Sequence, residues 1–238
     1  MTLKMAIVTG GGSGIGLHAA RLLASEGFRV GLVGRRVSQL DSAAQSIRAL
    51  GGACWYSAMD VRDDAAVTAF VNAAVAQYGK IDLLVNNAGM FRMLPFEKTT
   101  PEFWQENLDT NLTGAYNFCR AVWQHIDGGQ IINVSSVAGV QPFPGCAAYS
   151  AAKYGLIGLS EVLALEGKAR GIRVHVLAPA NTDTPIWDAQ APAKVRARMM
   201  RPEQVAEVIR WLAVSPSEVT FDRLIIRPTQ DPWRSSSS

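Results

Sequence analysis

Short runs of aliphatic and β-branched residues alternate with amphipathic stretches along the chain, and this alternation limits the fold more than any other feature. Lys4–Thr9 is predicted to be a strand, and apolar positions from Ile15 to Leu23 then recur at helical spacing. The pattern repeats, with further strands predicted at 29–33, 53–58, 81–85, 130–135 and 172–177 and helices at 37–47, 67–78, 101–125, 147–170 and 202–213. Helical crossovers between consecutive strands favour a parallel sheet that is covered on both faces.

The expected fold class is therefore α/β, with a single Rossmann-like, doubly wound domain over residues 1–238. We expect a parallel sheet of about seven strands in the order 3-2-1-4-5-6-7, the last strand lying within 221–229. Residues 185–200 are predicted to form a lid over a substrate, and 235–238 a frayed serine tail. Because folds of this class bind ligands outside the carboxyl ends of their strands, the loops that follow the strands are where a site is expected.

Composition narrows the classes of partner. The chain has 23 basic and 20 acidic side chains, and a net charge of +3 is too small for a dedicated nucleic-acid binder. No apolar run is long enough for a signal peptide or a membrane span, so we expect a cytoplasmic protein without a membrane partner. The cysteines and histidines fit no disulfide or metal-ligand spacing, and no metal is predicted: Cys54, Cys119, Cys146, His18, His125 and His175.

A glycine-rich loop, Thr9-Gly10-Gly11-Gly12-Ser13-Gly14-Ile15-Gly16, joins the first strand to the first helix. Glycine permits positive φ and close approach of the backbone to a phosphate, whose charge is stabilised at a helix N-terminus. A flexible turn is the alternative. The position between a strand and an amphipathic helix favours a pyrophosphate site that uses Gly10, Ser13, Gly14, Ile15 and Gly16.

Other short motifs follow at the ends of the later strands. They are Asp60-Val61, Asn86-Asn87-Ala88-Gly89, Asn111, Ser136, and Tyr149-Ser150-Ala151-Ala152-Lys153. Each is weak alone, since an Asn pair is usually a turn. Together with the TGxxxGxG spacing of the first loop, their order resembles that of the short-chain dehydrogenase/reductase family from residue 4 to about 185.

The residues themselves suggest acid–base chemistry. Tyr149 and Lys153 are four positions apart and therefore share one face of a helix. A tyrosine with its ordinary pKa of about 10 is a poor base at neutral pH, so we expect the Lys153 charge to favour the phenolate. Ser136, at the end of a neighbouring strand, can hold the reacting oxygen beside the phenol, whereas a capping serine is the alternative.

The resemblance assigns further roles. It implies that Tyr149 is the general acid in reduction and the base in oxidation, that Lys153 also holds the nicotinamide ribose, and that Asn111 anchors a water. The other implied cofactor contacts are Asp60 and Val61 at the adenine, Asn87, Ala88 and Gly89 beneath the cofactor, and Pro179, Thr182 and Thr184 near the carboxamide. Two stretches depart from the family: Pro179-Ala180-Asn181-Thr182-Asp183-Thr184 replaces PGxVxT or PGxIxT, and 221–229 replaces a VTGxxxxVDGG-like ending.

Cofactor choice is predicted from the end of the second strand. An acidic residue there would repel a 2′-phosphate, but Gly34 occupies that position and Arg35 and Arg36 follow it. A guanidinium fork matches a phosphate well, so NADP(H) is favoured over NAD(H), two solvated turn arginines being the alternative.

The substrate is expected to be a small carbonyl compound or alcohol in a largely apolar pocket. Candidate lining residues are Met90, Phe91, Gln141, Phe143, Cys146 and Trp187. A basic run at Lys194, Arg196, Arg198 and Arg201 could attract an acidic substrate, but alternating charges on a short helix more often face solvent. The sequence thus predicts an NADP(H)-dependent oxidoreductase, and the family resemblance implies a homodimer or homotetramer; a non-catalytic NADP(H)-sensing regulator is the alternative.

Overall fold

The computed structural model describes residues 3–188 and 190–233, and a seven-stranded parallel sheet runs through them. The strand order is β3-β2-β1-β4-β5-β6-β7. The strands are β1 (Lys4–Thr9), β2 (Phe28–Gly34), β3 (Cys54–Ala58), β4 (Leu83–Asn86), β5 (Gln130–Val134), β6 (Arg173–Pro179) and β7 (Arg223–Ile226). The predicted fold class and strand order are confirmed, including a seventh strand within 221–229.

Eight α-helices connect and cover the strands within the described residues. They are α1 (Gly14–Ser25), α2 (Val37–Arg48), α3 (Asp64–Tyr78), α4 (Pro101–Leu108), α5 (Gly114–Val122), α6 (Ala147–Gly167), α7 (Ala193–Arg196) and α8 (Pro202–Ala213). The helices lie on both faces of the sheet because its side chains alternate between two cores. In β1, Ala6 and Val8 pack with α1, α2 and α8, whereas Met5 and Ile7 pack with α3 and α5.

The predicted helix at 101–125 is interrupted. Helix α4 ends at Leu108, a π-helical turn spans Asp109–Thr113, and α5 begins at Gly114. Such a turn inserts one residue without disturbing the apolar spacing on either side, so helical periodicity does not reveal it. The turn carries the Asn111 side chain toward the end of β4, where it is buried.

The segment from 182 to 200 leaves and rejoins the sheet edge. An isolated parallel bridge joins Thr182 to Met200, and the connection between them contains a 3-10 turn at Pro185–Trp187 and the short helix α7.

The predicted frayed tail, residues 235–238, lies outside the described residues. No helix in the described ranges is both long and apolar enough to cross a bilayer. Those ranges also contain no group of three or more His, Cys, Asp or Glu side chains placed to hold a metal ion.

Candidate active site

One cleft of about 1260 Å³ runs along the carboxyl edge of the sheet. It is lined by the loops that follow β1 to β6 and by the segment that follows β7. All of the predicted site residues line it except Gly16. The strand ends therefore bring together, in one continuous groove, motifs that are as far apart in sequence as Gly10 and Thr184.

The glycine loop has a shape that other residues could not adopt. Gly10 and Gly14 have φ of 66° and 53°, in the left-handed region. A Cβ on Gly16 would lie 2.3 Å from the Gly10 carbonyl oxygen, so Gly16 allows α1 to pack against the loop and does not face the cleft. The structure gives Gly16 a packing role, and its contact to a phosphate stays a prediction.

The N-terminus of α1 faces the cleft without a side-chain cap. Ser13 is the N-cap residue in extended conformation, and its hydroxyl makes no capping hydrogen bond. The first N–H groups of the helix, which lack intrahelical partners, therefore remain available to an anion. No acidic residue lies in the first turn to compete for them. The uncapped N-terminus of α1 can therefore bind a pyrophosphate group.

Hydrogen bonds hold the glycine loop against the loop after β4. The Thr9 hydroxyl accepts hydrogen bonds from the backbone N–H groups of Asn87 and Ala88, each at 2.9 Å. The Asn87 amide in turn donates to the Thr9 carbonyl at 3.0 Å. The Asn87 side chain is thus engaged in the protein, and it positions the floor of the cleft.

Tyr149, Ser136 and Lys153 meet where β5 and α6 border the cleft. The Ser136 side chain lies beside the Tyr149 phenol, where it acts to lower the pKa of that phenol, and the Ser136 Oγ accepts a hydrogen bond from the Ala138 N–H at 3.1 Å. The Lys153 Nζ lies 5.7 Å from the centroid of the Tyr149 ring. Ser136 therefore combines the capping contact considered as its alternative role with a direct contact to the phenol.

The neighbouring serine has a different environment. The Ser135 Oγ donates to the Lys153 carbonyl at 3.0 Å, and the side chain is buried. A Cβ on Gly139 would lie 2.7 Å from that oxygen, so the space around Ser135 is filled. The structure distinguishes the two serines, and Ser136 is the one in contact with Tyr149.

The expected effect of Lys153 on the phenol is wrong for this structure. Burial raises the pKa of Tyr149 to about 12, although its hydrogen bond with Ser136 acts in the opposite direction. Burial also lowers the pKa of Lys153 to about 8. The lysine donates to the Val134 carbonyl at 2.9 Å rather than to the phenol. Desolvation is the main cause of both shifts, and at neutral pH the phenol is protonated, the form that can donate a proton.

Asn111 reaches the cleft floor from the π-helical turn. Its carboxamide oxygen accepts from the Met90 N–H at 3.1 Å, and its amide nitrogen donates to the Met90 carbonyl at 3.0 Å. Gly89 permits this approach, since a Cβ there would lie 2.7 Å from the Asn111 Oδ1. The side chain therefore fixes the loop that carries Met90, and its water-anchoring role stays a prediction.

Charged side chains border the cleft beyond β2 and β3. Arg35 and Arg36 are exposed at the end of β2. Asp60 is held by Arg62, whose Nε and Nη2 donate to it at 2.7 to 3.0 Å. Arg62 is the main reason that the pKa of Asp60 lies below its usual value, and Arg35 adds a smaller electrostatic effect. Sequence reasoning missed Arg62, and the implied adenine contact of Asp60 must share this carboxylate with it.

Aromatic rings form the opposite end of the cleft. The Phe91 ring packs edge-on against Tyr149, with 4.8 Å between centroids, and tilts against Trp187 at 5.0 Å. Trp187 continues to Trp233 at 6.1 Å. The Gln190 side chain donates to the Phe91 carbonyl and accepts from the Met93 N–H, both at 2.9 Å, which ties 185–200 to the loop after β4.

A model of the short chain dehydrogenase family matches residues 4–194. The chain belongs to this family. A 3beta-hydroxysteroid dehydrogenase 1 of Eggerthella lenta is 37% identical over 227 residues, covering 88% of this chain and 86% of that protein. A cis-4-hydroxycyclohexanecarboxylate dehydrogenase of Sinomonas cyclohexanicum is 36% identical over 223 residues, covering 88% and 89%.

Solved structures agree with this assignment. The alcohol dehydrogenase of the archaeon Thermococcus sibiricus, complexed with 5-hydroxy-NADP, superposes with a TM-score of 0.88 at 26% identity. The match covers 95% of this chain and 97% of that chain. As a short-chain dehydrogenase, this protein has the fold and the oxidoreductase class of enzymes that act on alcohol or keto groups.

The C-terminal part of this short-chain dehydrogenase contributes lining residues that the sequence did not reveal. Arg227, Asp231, Pro232 and Trp233 border the cleft, as does Gln190. The signal for them in the sequence is the departure of 221–229 from the family ending. By contrast, Lys194, Arg196, Arg198 and Arg201 are absent from the lining, and Arg196 forms ion pairs with Asp183 and Asp188.

Proposed function

We propose that this protein is an NADP(H)-dependent oxidoreductase that interconverts a carbonyl compound and a secondary alcohol, with Tyr149 as its acid and base. The observation that carries the proposal is that Tyr149, Ser136 and Lys153 line one cleft that also contains an uncapped helix N-terminus. A proton donor and a dinucleotide cradle in one groove are what such a reaction needs.

Each side chain has a distinct part. The nicotinamide supplies or accepts the hydride when it is bound. Ser136 holds the substrate oxygen beside Tyr149, and the buried phenol donates its proton to that oxygen during reduction. Lys153, held by the Val134 carbonyl, places its ammonium 5.7 Å from the centroid of the Tyr149 ring and would hold the nicotinamide ribose when the cofactor is bound. Asn111 keeps Met90 and the cleft floor in place.

The proposed preference for NADP(H) rests on charge. Gly34 leaves no carboxylate at the end of β2, and the exposed Arg35 and Arg36 border the cleft there. Their guanidinium groups suit the 2′-phosphate, which an acidic residue would repel. The only acidic side chain that lines this end within the described residues, Asp60, is already paired with Arg62. The NADP analogue bound to the Thermococcus sibiricus relative is consistent with this preference.

Residues 185–200 are proposed to act as a lid. The Gln190 hydrogen bonds and the contact between Phe91 and Trp187 fasten this segment over the substrate end of the cleft. A lid in this place would exclude water from the reacting atoms. Loss of the Gln190 hydrogen bonds would let this segment move away from the cleft.

Helices α4 to α6 are proposed to form the interface of a homodimer or homotetramer. They carry exposed apolar side chains at Trp104, Tyr116, Tyr154 and Leu165, of which Leu165 is 77% exposed. Apolar surface of this kind is commonly buried between subunits. Light scattering coupled to size-exclusion chromatography measures the oligomeric state directly.

The proposed reaction can be tested with substrate panels. The purified protein is mixed with NADPH and a set of ketones and aldehydes, and with NADP⁺ and a set of secondary alcohols, while absorbance at 340 nm is followed. We expect turnover of at least one member of each set, and lower activity in Ser136→Ala than in Ser135→Ala. NADPH binding without turnover of any compound would favour the alternative, a non-catalytic sensor of NADP(H).

A further inference from the structure

Among the residues that the structure describes, Arg227 is the one arginine that lines the cleft at the end remote from β2 and β3. Arg227 directly follows β7, whose last residue, Ile226, accepts a hydrogen bond from the Ala180 N–H at 2.9 Å. The strand order places β7 at the sheet edge opposite β3, so Arg227 is remote from Arg35 and Arg36 at the other end. Its Nη2 donates to the Gln141 Oε1 at 2.9 Å. Gln141 follows Ser136 by five residues, which connects Arg227 to the loop beside the reacting groups.

The charge of Arg227 is not neutralised by an ion pair among the described residues. The Gln141 amide oxygen satisfies one of its donors, and the other guanidinium N–H groups can bind an anion. Asp231 is the acidic side chain that lines this end, and its Oδ1 accepts a hydrogen bond from the Trp233 N–H at 2.9 Å. That contact directs one carboxylate oxygen of Asp231 to the backbone.

Aromatic rings extend from the Tyr149 phenol to the C-terminal segment that also carries Arg227. Phe91, Trp187 and Trp233 follow one another from Tyr149 toward the C-terminal segment, with centroid separations of 4.8, 5.0 and 6.1 Å. Trp187 is almost fully buried, whereas Trp233 is about half exposed at the mouth. This series suits a flat apolar body, such as an alicyclic or aromatic ring, that extends from the reacting carbon toward the mouth.

The sequence around Arg227 departs from the family ending in the sign of its charge. Val219 and Thr220 match the start of the VTGxxxxVDGG-like ending, and the count from them places Arg227 on its aspartate. The charge at this point of the cleft edge is therefore reversed relative to that pattern. Pro228 follows at once, and its fixed φ restricts the backbone that carries the guanidinium.

We propose that Arg227, supported by Gln141, binds the carboxylate of the substrate, and that the substrate is a cyclic or aromatic oxo acid or hydroxy acid. The ring lies among Phe91, Trp187 and Trp233, and the reacting carbon lies at Tyr149 and Ser136. This assignment names the substrate class of the reaction proposed above and rests on that proposal. It differs from the acid-binding run considered at 194–201, whose side chains do not line the cleft.

Turnover tests the assignment with matched acids and amides. The probes are 4-oxocyclohexanecarboxylate and 4-acetylbenzoate, each compared with its carboxamide and with the corresponding phosphonate, in the presence of NADPH. The variants are Arg227→Gln and Arg227→Lys. Arg223→Gln is the control, because Arg223 lies on the same strand but pairs with Glu161 and does not line the cleft.

We expect the wild type to prefer an acid to its amide, and Arg227→Gln to lower kcat/KM for the acid by about tenfold to a hundredfold, mainly through KM. Arg227→Lys should retain part of the preference, and the loss of kcat/KM in the Arg227 variants should be much smaller for the amide than for the acid. Equal use of acid and amide by the wild type, an equal loss for both, the same loss in Arg223→Gln, or a preference for the phosphonate would overturn the assignment.

A binding measurement tests the carboxylate site independently of the proposed reaction. Calorimetric titration with the non-reacting cyclohexanecarboxylate and 4-methylbenzoate, with NADP⁺ present, measures the carboxylate contact without any turnover. Binding that Arg227→Gln weakens and Arg223→Gln preserves supports the assignment even if no ketone is reduced. Absence of binding in the wild type, or the same affinity in Arg227→Gln, contradicts it even if neutral ketones are reduced.

Discussion

The Lys153 ammonium lies 5.7 Å from the centre of the Tyr149 ring, one helical turn away, and donates its hydrogen bond to the Val134 carbonyl. Both side chains are buried, and burial changes their pKa values in opposite directions. The phenol is kept protonated and the amine is made a weaker base, because each is removed from water. The Tyr149 phenol is therefore in the protonated form that can donate a proton.

The first prediction concerns Lys153 and the pH dependence of stability. Its pKa is about 8 in the folded protein against 10.5 as the ordinary value. Between these values the unfolded chain keeps a proton that the folded chain has released, so the lysine's contribution to stability improves as pH rises. The unfolding free energy of the wild type, minus that of Lys153→Met, should increase by about 2 kcal/mol from pH 7 to pH 9.5. Denaturant titrations measure it, with the exposed Lys168→Met as the control; parallel pH curves for wild type and Lys153→Met would contradict the prediction.

The second prediction concerns Gly16. An added Cβ would overlap the Gly10 carbonyl oxygen at 2.3 Å and the Asn87 Nδ2 at 2.6 Å. We expect Gly16→Ala to lower the free energy of unfolding by about 1–3 kcal/mol and to weaken NADPH binding, because α1 must move away from the loop. Gly158→Ala is the matched control, since Gly158 is exposed on α6 and no atom beyond its own helical turn lies within 4 Å of an added Cβ; this substitution should stabilise the protein by about 0.5–1 kcal/mol. Equal effects of the two substitutions would refute the packing argument.

The third prediction concerns cofactor choice. Arg35→Asp should lower the ratio of kcat/KM for NADP(H) over NAD(H) by about tenfold or more, because a carboxylate at the end of β2 repels the 2′-phosphate and accepts ribose hydroxyls. Steady-state rates with each cofactor measure the ratio. Lys168→Asp makes the same change in net charge away from the cleft and should leave the ratio as it is. An unchanged ratio in Arg35→Asp would show that the arginines at this turn are merely solvated.

The fold was largely predictable because it follows from local patterns. Alternating apolar strands and amphipathic helices determine the parallel sheet, and β1 shows the division of its side chains between two cores. The π-helical turn at Asn111 was not predictable, since the insertion of one residue leaves the apolar faces of α4 and α5 intact. The motifs at the strand ends were informative because a parallel sheet brings its carboxyl ends to one edge.

The parts of the site that depend on distant contacts were not predictable. Many side chains could pair with Asp60 or with Arg227. Only the tertiary structure determines that Asp60 pairs with Arg62 and that Arg227 donates a hydrogen bond to Gln141. The pKa of Tyr149 was expected to fall because its neighbour in sequence is a lysine, but it depends on how completely the fold removes the phenol from water. Spacing shows which groups are near each other and says little about their solvation.

The most direct test of the proposed chemistry compares two tyrosines on α6. Tyr149 lies in the cleft, whereas Tyr154 is about half exposed outside it. On the best substrate of the panel, Tyr149→Phe should lower kcat by at least about a hundredfold and leave the Kd for NADPH within about twofold, while Tyr154→Phe should match the wild type in both. A Tyr149→Phe enzyme with the kcat of the wild type would contradict the assignment of the proton donor.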